Sequence, residues 1–347
     1  MHVYFAAVHV HLQSVHGQKK SMMRPSAVAV GLLFVILIHS SHAQEEPTLS
    51  PKKGLVVPYW PQHRCGDFEA FSTVSWYYNY HTVKDPWTLG DDYKPNWCWC
   101  VDNPWIPPNN RSECLPSNPD VHHIPMIYSL PGYGSREGEE YYQNPPLEDW
   151  IYQFLTYNEP NVEAQSNIPP EVAAEDYRKL QDQYPDKLMI GPGVGHLDTE
   201  WMDEFMTFCD ALNCRMDYVA GHLYKPAQSG TKPGTVDERM AQLEAYSVRY
   251  GKKIWFTEFA MAMETNETKI AEFVEEFLPR LEHASFIARY SWFVTRYYPD
   301  EACPDPNNQY FCLDTKNSLL KQDAPELTAV GEAYDKPWHL EKYNPYK

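Results

Sequence analysis

Two glutamates in this chain stand where a carboxylate could act on a bound molecule. Glu159 lies in "FLTYNEPNV", residues 154–162, directly after Asn158 and before Pro160. Glu258 lies in "IWFTEFAM", residues 254–261. Proline cannot donate to a sheet ladder and pushes the residue before it away from helix, so Glu159 is expected where an apolar, β-prone run gives way to a loop. Glu258 likewise sits near the end of an apolar run. A lone acid at a strand end commonly caps a helix or meets solvent. Two that face each other can do more. One carboxylic acid can protonate a leaving oxygen while the other carboxylate attacks carbon or activates water, which is the equipment of glycoside hydrolysis.

The elements that must position these acids are legible as an alternation. Short apolar or β-branched runs begin at Gly54, Thr73, Ile124, Phe154, Leu188, Asp217, Lys253 and Ile287, which makes eight strand candidates. Segments with apolar residues near a 3.6 period lie between the later ones: "PPEVAAEDYRKLQDQY", "DTEWMDEFMTFCDAL", "TVDERMAQLEAYSVRYG" and "ETKIAEFVEEFLPRL". Strands alternating with helices imply a parallel sheet, and eight units over this length fit a (β/α)8 TIM barrel better than an open sheet. No glycine-rich phosphate loop follows the first strand, which argues against a dinucleotide fold. In a barrel the active site lies at the C-terminal strand ends, where Glu159 closes the fourth candidate and Glu258 the seventh.

Composition narrows the setting. The 347 residues are 43% hydrophobic and 14% aromatic, enough for a large core. Residues 1–43 hold Lys19, Lys20 and Arg24, no acid, and an apolar run over residues 27–38 that ends in Ser41-His42-Ala43. These are the parts of a secretory signal, predicted to be cleaved after Ala43, with Met22 or Met23 as an alternative start. The run is short for a membrane span, so stable membrane insertion is not expected. A polar linker, residues 44–52, leads into one domain over residues 53–347. The net charge of −18 becomes −21 without the leader, which disfavours nucleic acid and anionic membranes as partners.

All eight cysteines follow the leader, and an even count in a secreted chain reads as disulfides. Cys209 with Cys214 and Cys303 with Cys312 are local pairs; Cys65, Cys98, Cys100 and Cys114 pair among themselves in an order the sequence leaves open. "CWC" at Cys98 to Cys100 lacks a histidine at ligand spacing, and His122-His123 reads as a solvated loop, so no metal is expected. The pinned loops fall between Cys65 and His122. Asn110 and Asn266 begin glycosylation sequons.

The blocks "VSWYYNY", "IPMIY", "FLTYNEPNVEAQSN", "CRMDYVAGHLY", "IWFTEFA", "RYSWF" and "NSLLKQDAPELTAVGEAY" occur in an order that resembles glycoside hydrolase family 128, the alkali-sensitive-linkage-protein-like glycosyl hydrolases. The resemblance covers nearly the whole mature chain. It implies a clan A barrel with catalytic acids on strands four and seven and retaining cleavage of β-1,3-glucan. It further implies Glu159 as general acid/base, Glu258 as nucleophile and Asn158 as a contact to the sugar 2-hydroxyl. His222, Tyr224, Trp292, Tyr78 and Asn79 become candidate substrate contacts. The family's His-Trp-Tyr is His222-Leu223-Tyr224 here; a stacking surface is lost if that Trp faces substrate, and little changes if it faces the helices. Tyr157 replaces a common Phe. The expectation is thus a secreted, monomeric β-1,3-glucanase without cofactor, whose partner is β-glucan. The alternative is a non-catalytic β-glucan-binding or wall-associated protein.

Overall fold

The computed structural model describes residues 49–57, 66–82, 121–134, 147–224, 235–262, 264–297 and 313–340. The expected leader, Asn110 and the cysteines Cys65, Cys98, Cys100, Cys114, Cys303 and Cys312 lie outside these residues, as do residues 83–120 of the span they were expected to pin. Nine parallel strands form one sheet: β1 (Lys53–Val56), β2 (Trp76–Tyr78), β3 (His122–His123), β4 (Met126–Ile127), β5 (Gln153–Thr156), β6 (Leu188–Val194), β7 (Tyr218–His222), β8 (Ile254–Phe259) and β9 (Ile287–Trp292). Their order is β3-β2-β1-β9-β8-β7-β6-β5-β4. The sheet therefore curls as in a TIM-barrel-like α/β fold, and its two end strands are consecutive in the chain.

The strand expected from Ile124 appears as β4, and a further short strand, β3, precedes it across Pro125. β3 pairs with β2 and β4 pairs with β5. Between them, Pro125 has no N–H to donate, but its carbonyl accepts from the Leu155 amide at 2.8 Å. His122-His123 is accordingly strand rather than solvated loop. His122 is exposed, whereas His123 is buried with Nε2 2.9 Å from Asn79 Oδ1.

The helices start and stop where their capping residues dictate. α1 (Pro170–Gln183) opens on proline, which has no orphan donor to satisfy. α2 (Thr199–Leu212) is capped by Asp198, whose carboxylate accepts from the Glu200 and Trp201 amides. α3 (Val236–Tyr250) has a Thr235/Glu238 capping box and ends at left-handed Gly251. α4 (Glu267–His283) is capped by Asn266, which is exposed. A short α5 (Ala329–Tyr334) follows.

Strand alternation sorts side chains onto two cores. Trp76, Tyr78, Leu155, Ile190, Ala220 and Trp255 cluster on the inner face of the curl. Tyr77, Phe154, Met189 and Phe256 join the larger outer core under the helices. The two faces are built at close quarters: a Cβ on Gly54 would stand 2.1 Å from the Trp76 ring.

The last described segment closes on the first strand. Tyr334 donates its hydroxyl to the Gly54 carbonyl at 2.6 Å. The buried Lys53 amine donates to Thr73 Oγ1 and the Lys336 carbonyl, and burial draws its pKa down to about 8. Asp335 accepts from the Ser72 and Thr73 amides.

Cys209 and Cys214 correct an expectation: they are separate thiols, not a disulfide. Asn213 takes the left-handed conformation that ends α2. This turn folds the Cys214 amide back onto the Cys209 carbonyl at 2.9 Å and leaves its Sγ 3.9 Å from the Ala174 carbonyl. Burial pushes both thiols up, so neither is an activated nucleophile.

Candidate active site

Glu159 projects from a backbone that the neighbouring strands hold residue by residue. The Tyr157 amide donates to Ile127, Asn158 to Tyr128 and Glu159 to Gly193, at 2.8–2.9 Å. Tyr157 and Glu159 have φ of 38° and 45°, in the left-handed region that non-glycine residues enter at a cost of order 1–3 kcal/mol. The chain leaves along a path fixed by Asn161, whose amide bonds both the N–H and the carbonyl of Gly195 and reaches Asp198. A Cβ on Gly195 would stand 3.0 Å from Glu159 Oε1 and 2.9 Å from Val162 Cγ2, so a larger residue there would displace the Glu159 carboxylate.

Glu258 sits near the end of β8, 4% exposed. Three phenols donate to its carboxylate: Tyr80 at 2.7 Å and Tyr78 at 3.1 Å to Oε1, and Tyr224 at 2.5 Å to Oε2. His222, at the end of β7, stands between the two acids. Its Nδ1 is 2.9 Å from Glu159 Oε1 and 3.3 Å from Glu258 Oε2. Glu159, His222 and Glu258 each offer an oxygen or nitrogen, all within 4.8 Å of one another.

Charge distribution follows from this packing. Burial raises the Glu258 pKa, His222 pulls it back, the Glu159 charge adds to the rise, and the phenols of Tyr224 and Tyr80 favour the anion. Burial is the largest single influence on His222 and lowers it, but the two carboxylates together outweigh it and the imidazole pKa is raised. Tyr78, Tyr80 and Tyr224 are all held well above the ordinary phenol value, first by burial and then by the Glu258 charge, so they act as donors.

Of the residues expected at the site, Glu159, Glu258, His222, Tyr78 and Tyr224 converge. Asn158 lies beside them, 4% exposed, with Nδ2 3.4 Å from Gln165 Oε1; its Oδ1 is buried and has no hydrogen-bond partner among the described residues. Asn79 does not join them. It lies one residue out of phase with Tyr78, and its Oδ1 meets His123 and the His81 amide. Trp292 is a second correction. It is fully buried in the outer core, edge-on to Phe259, and its indole N–H donates to the Asn317 carbonyl at 2.7 Å. Half-buried Phe293 instead meets Tyr224, with ring centroids 5.8 Å apart. Leu223 is also in the outer core, so the change from the family's Trp falls on the helix side.

Sequence reasoning missed Tyr80, Gln165 and Arg239. Tyr80 carried a signal, because "YYNY" sets it two residues after Tyr78 and so on the same face. Gln165 accepts from the Tyr128 hydroxyl at 2.5 Å. Arg239, wholly buried on α3, donates to the carbonyls of Leu223, Tyr224 and Ala260 and thereby clamps the segments that carry His222, Tyr224 and Glu258.

The family model described as glycosyl hydrolase catalytic core matches residues 54–334. No curated protein matches the chain. Among solved structures, a family 128 subgroup II endo-β-1,3-glucanase from Sorangium cellulosum is 24% identical, covers 82% of this chain and 98% of its own, and superposes with a TM-score of 0.56. A subgroup III curdlan-specific exo-β-1,3-glucanase from Blastomyces gilchristii, in complex with glucose, is 22% identical over 83% and 98%, with a TM-score of 0.52. A subgroup I endo-β-1,3-glucanase from Amycolatopsis mediterranei, with laminaritriose and laminaribiose, is 19% identical over 83% and 99%, with a TM-score of 0.54. The match over residues 54–334, on a curled parallel sheet with two glutamates and a histidine gathered at its C-terminal strand ends, means that this chain belongs to the glycosyl hydrolase catalytic core family, within which it resembles family 128.

Proposed function

We propose that this glycoside hydrolase is a secreted, retaining β-1,3-glucanase on a closed (β/α)8 barrel. The observation that carries the reading is that one carboxylate oxygen of Glu159, on the loop after β5, and one of Glu258, on β8, lie within 4.8 Å of each other. Retaining glycosidases hold their carboxyl groups about 5–5.5 Å apart, too close for a water between acid and base in the inverting manner. Glu159, the more exposed of the two, protonates the glycosidic oxygen as it leaves. Glu258 attacks the anomeric carbon as the carboxylate. Its three phenol donors favour that anion, and the repulsion from Glu159 is lifted while Glu159 carries its proton. In the second half Glu159 takes a proton from a water whose oxygen attacks the anomeric carbon, which displaces the Glu258 carboxylate and restores the β configuration. Asn158 meets the 2-hydroxyl.

The choice of β-1,3-glucan is supported by the likeness to the three glucanases above, one of them holding laminari-oligosaccharides. Secretion is supported by the basic leader and its apolar run. The continuity of β3 and β4 supports closure of the barrel.

The test is a product assay on the mature chain with laminarin, mixed-linkage glucan, cellulose and chitin, beside a Glu258→Gln variant. Laminarin should be cleaved by the wild type and at least about 10³-fold more slowly by the variant. Laminarin bound but uncut by both would make the protein a glucan receptor. With Glu159→Gln, azide should rescue an activated aryl glucoside and give the β-azide; an α-azide would overturn retention.

A further inference from the structure

We propose that the pocket formed by Glu159, His222 and Glu258 is also a binding site for one zinc-class divalent cation, which competes with the glucan. Its consequence for turnover rests on the glucanase reading; the binding itself does not.

The spacing supports coordination. Zinc takes nitrogen and carboxylate oxygen at about 2.0–2.2 Å, so two ligands on a tetrahedral ion stand about 3.3 Å apart. His222 Nδ1 lies 2.9 Å from Glu159 Oε1 and 3.3 Å from Glu258 Oε2. The three ligand atoms come from β7, from the loop after β5 and from β8, and all lie within 4.8 Å of one another. Glu159, the more exposed of the two acids, leaves the group open to solvent on its side.

The opposite edge of the imidazole supplies an independent observation. A ligating histidine must present a lone pair to the metal, and it usually donates its other N–H to a carbonyl or similar acceptor. His222 Nε2 and Thr257 Oγ1 are both buried and have no hydrogen-bond partner among the described residues. They face the same spot as a backbone carbonyl. From the position a Cβ on Gly193 would occupy, the Tyr157 carbonyl is 3.4 Å away, His222 Nε2 3.6 Å and Thr257 Oγ1 3.9 Å. No hydrogen bond among the described residues fixes the proton from the Nε2 side, so the imidazole is free to carry it there and turn the Nδ1 lone pair to the carboxylates. In the cation-free site one proton is shared between Nδ1 and Glu159 Oε1, 2.9 Å apart, and coordination requires its release from between them. The net charge of −18 draws cations toward the molecule from every side.

An ion held there occupies both groups that the reaction needs and stands where the anomeric carbon must come. It acts as an inhibitor, not as a cofactor. Occupancy by the ion and occupancy by sugar at the cleavage point exclude each other.

The experiment is a titration of the whole chain with Co²⁺, read by visible absorption and equilibrium dialysis. The expected result is one ion per chain with the spectrum of a nitrogen- and oxygen-ligated site. Laminaritriose should displace it. Glu159→Gln and His222→Gln, each checked for folding by circular dichroism, should weaken binding at least tenfold. Glu159 is partly exposed, so that variant keeps the test decisive if His222→Gln fails to fold. Co²⁺ binding undiminished in Glu159→Gln would overturn the proposal. So would a sulfur-to-cobalt charge-transfer band, which would put the ion on cysteine. Zn²⁺ should then inhibit laminarin hydrolysis with half-inhibition near the dialysis dissociation constant. A wild type that binds one ion at these residues but never cuts laminarin would sink the glucanase reading and leave the cation site standing.

Discussion

Tyr80 is the residue whose importance is least evident from its type. It sits just beyond β2 with φ of 64°, and its hydroxyl is the shorter of the two donors to Glu258 Oε1. A tyrosine pays of order 1–3 kcal/mol for that backbone, so the fold holds it there against local preference. Tyr80→Phe should lower kcat about ten- to a hundredfold with little change in KM, the range expected for one hydrogen bond to a charged group. Steady-state kinetics on laminarin-type oligosaccharides check this; equal loss in kcat and gain in KM would make Tyr80 a general binding contact. His81, one residue on, supplies a pH prediction. Burial lowers its pKa from 6.5 to about 4. The neutral form is therefore the folded one, and its stability contribution, present above pH 6.5, is lost as pH falls toward 4. The shift corresponds to about 3 kcal/mol. His81→Gln should flatten the fall in urea-denaturation midpoint between pH 7 and pH 4. At this scale the sequence located both glutamates near strand ends, because Pro160 and the apolar runs mark those ends. It misjudged Trp292 because a strand-end aromatic has the same sequence pattern on either face; parity with Tyr290, which joins the outer core, decides it.

At the scale of elements, the site depends on how β7 and β8 are tied together above their last ladder bonds. Arg239 does this from α3, with donors to Leu223, Tyr224 and Ala260. Arg239→Leu should remove these bonds and leave buried carbonyls unsatisfied, with a cost on the order of 2–4 kcal/mol. Thermal melting reads the stability loss, and a parallel drop in kcat would tie the clamp to Tyr224 and Glu258; a fall in melting temperature with unchanged kcat would restrict it to structure. All four long helices were legible from period and caps, since Thr235, Glu238 and Gly251 state their ends locally. The short strand β3 ahead of the third expected strand was not, because it depends on the neighbour it meets, β2, and not on its own residues. The Cys209–Cys214 pair was misread for a related reason. Spacing says that two thiols are near, and their side chains do meet, but it does not say whether they are joined.

At the scale of the molecule, the catalytic end rests on a seam at the other end. Tyr334, Asp335 and Lys336 are bound to Gly54, Ser72, Thr73 and Lys53 there; separately, a buried Arg296–Asp67 pair ties the segment after β9 to the chain between β1 and β2. Tyr334→Phe leaves the buried Gly54 carbonyl without its donor and should cost about 1–3 kcal/mol, measured by chemical denaturation; an unchanged midpoint would show that the seam carries no stability. The seam was invisible in the sequence, because its partners are separated by up to 283 positions and no local pattern links them.

That separation bears on how the protein is made. The edge of β1 that faces β9 emerges more than 200 residues before its partner, since Gly54 pairs with Ser291. At 5–20 residues per second the nascent chain carries that unpaired, apolar edge for tens of seconds. Hydrogen-bonding groups along it are open to any other extended chain throughout that time. The protein is therefore expected to depend on holdase chaperones during synthesis, and its yield should respond more to translation speed and chaperone supply than to substitutions at the catalytic centre.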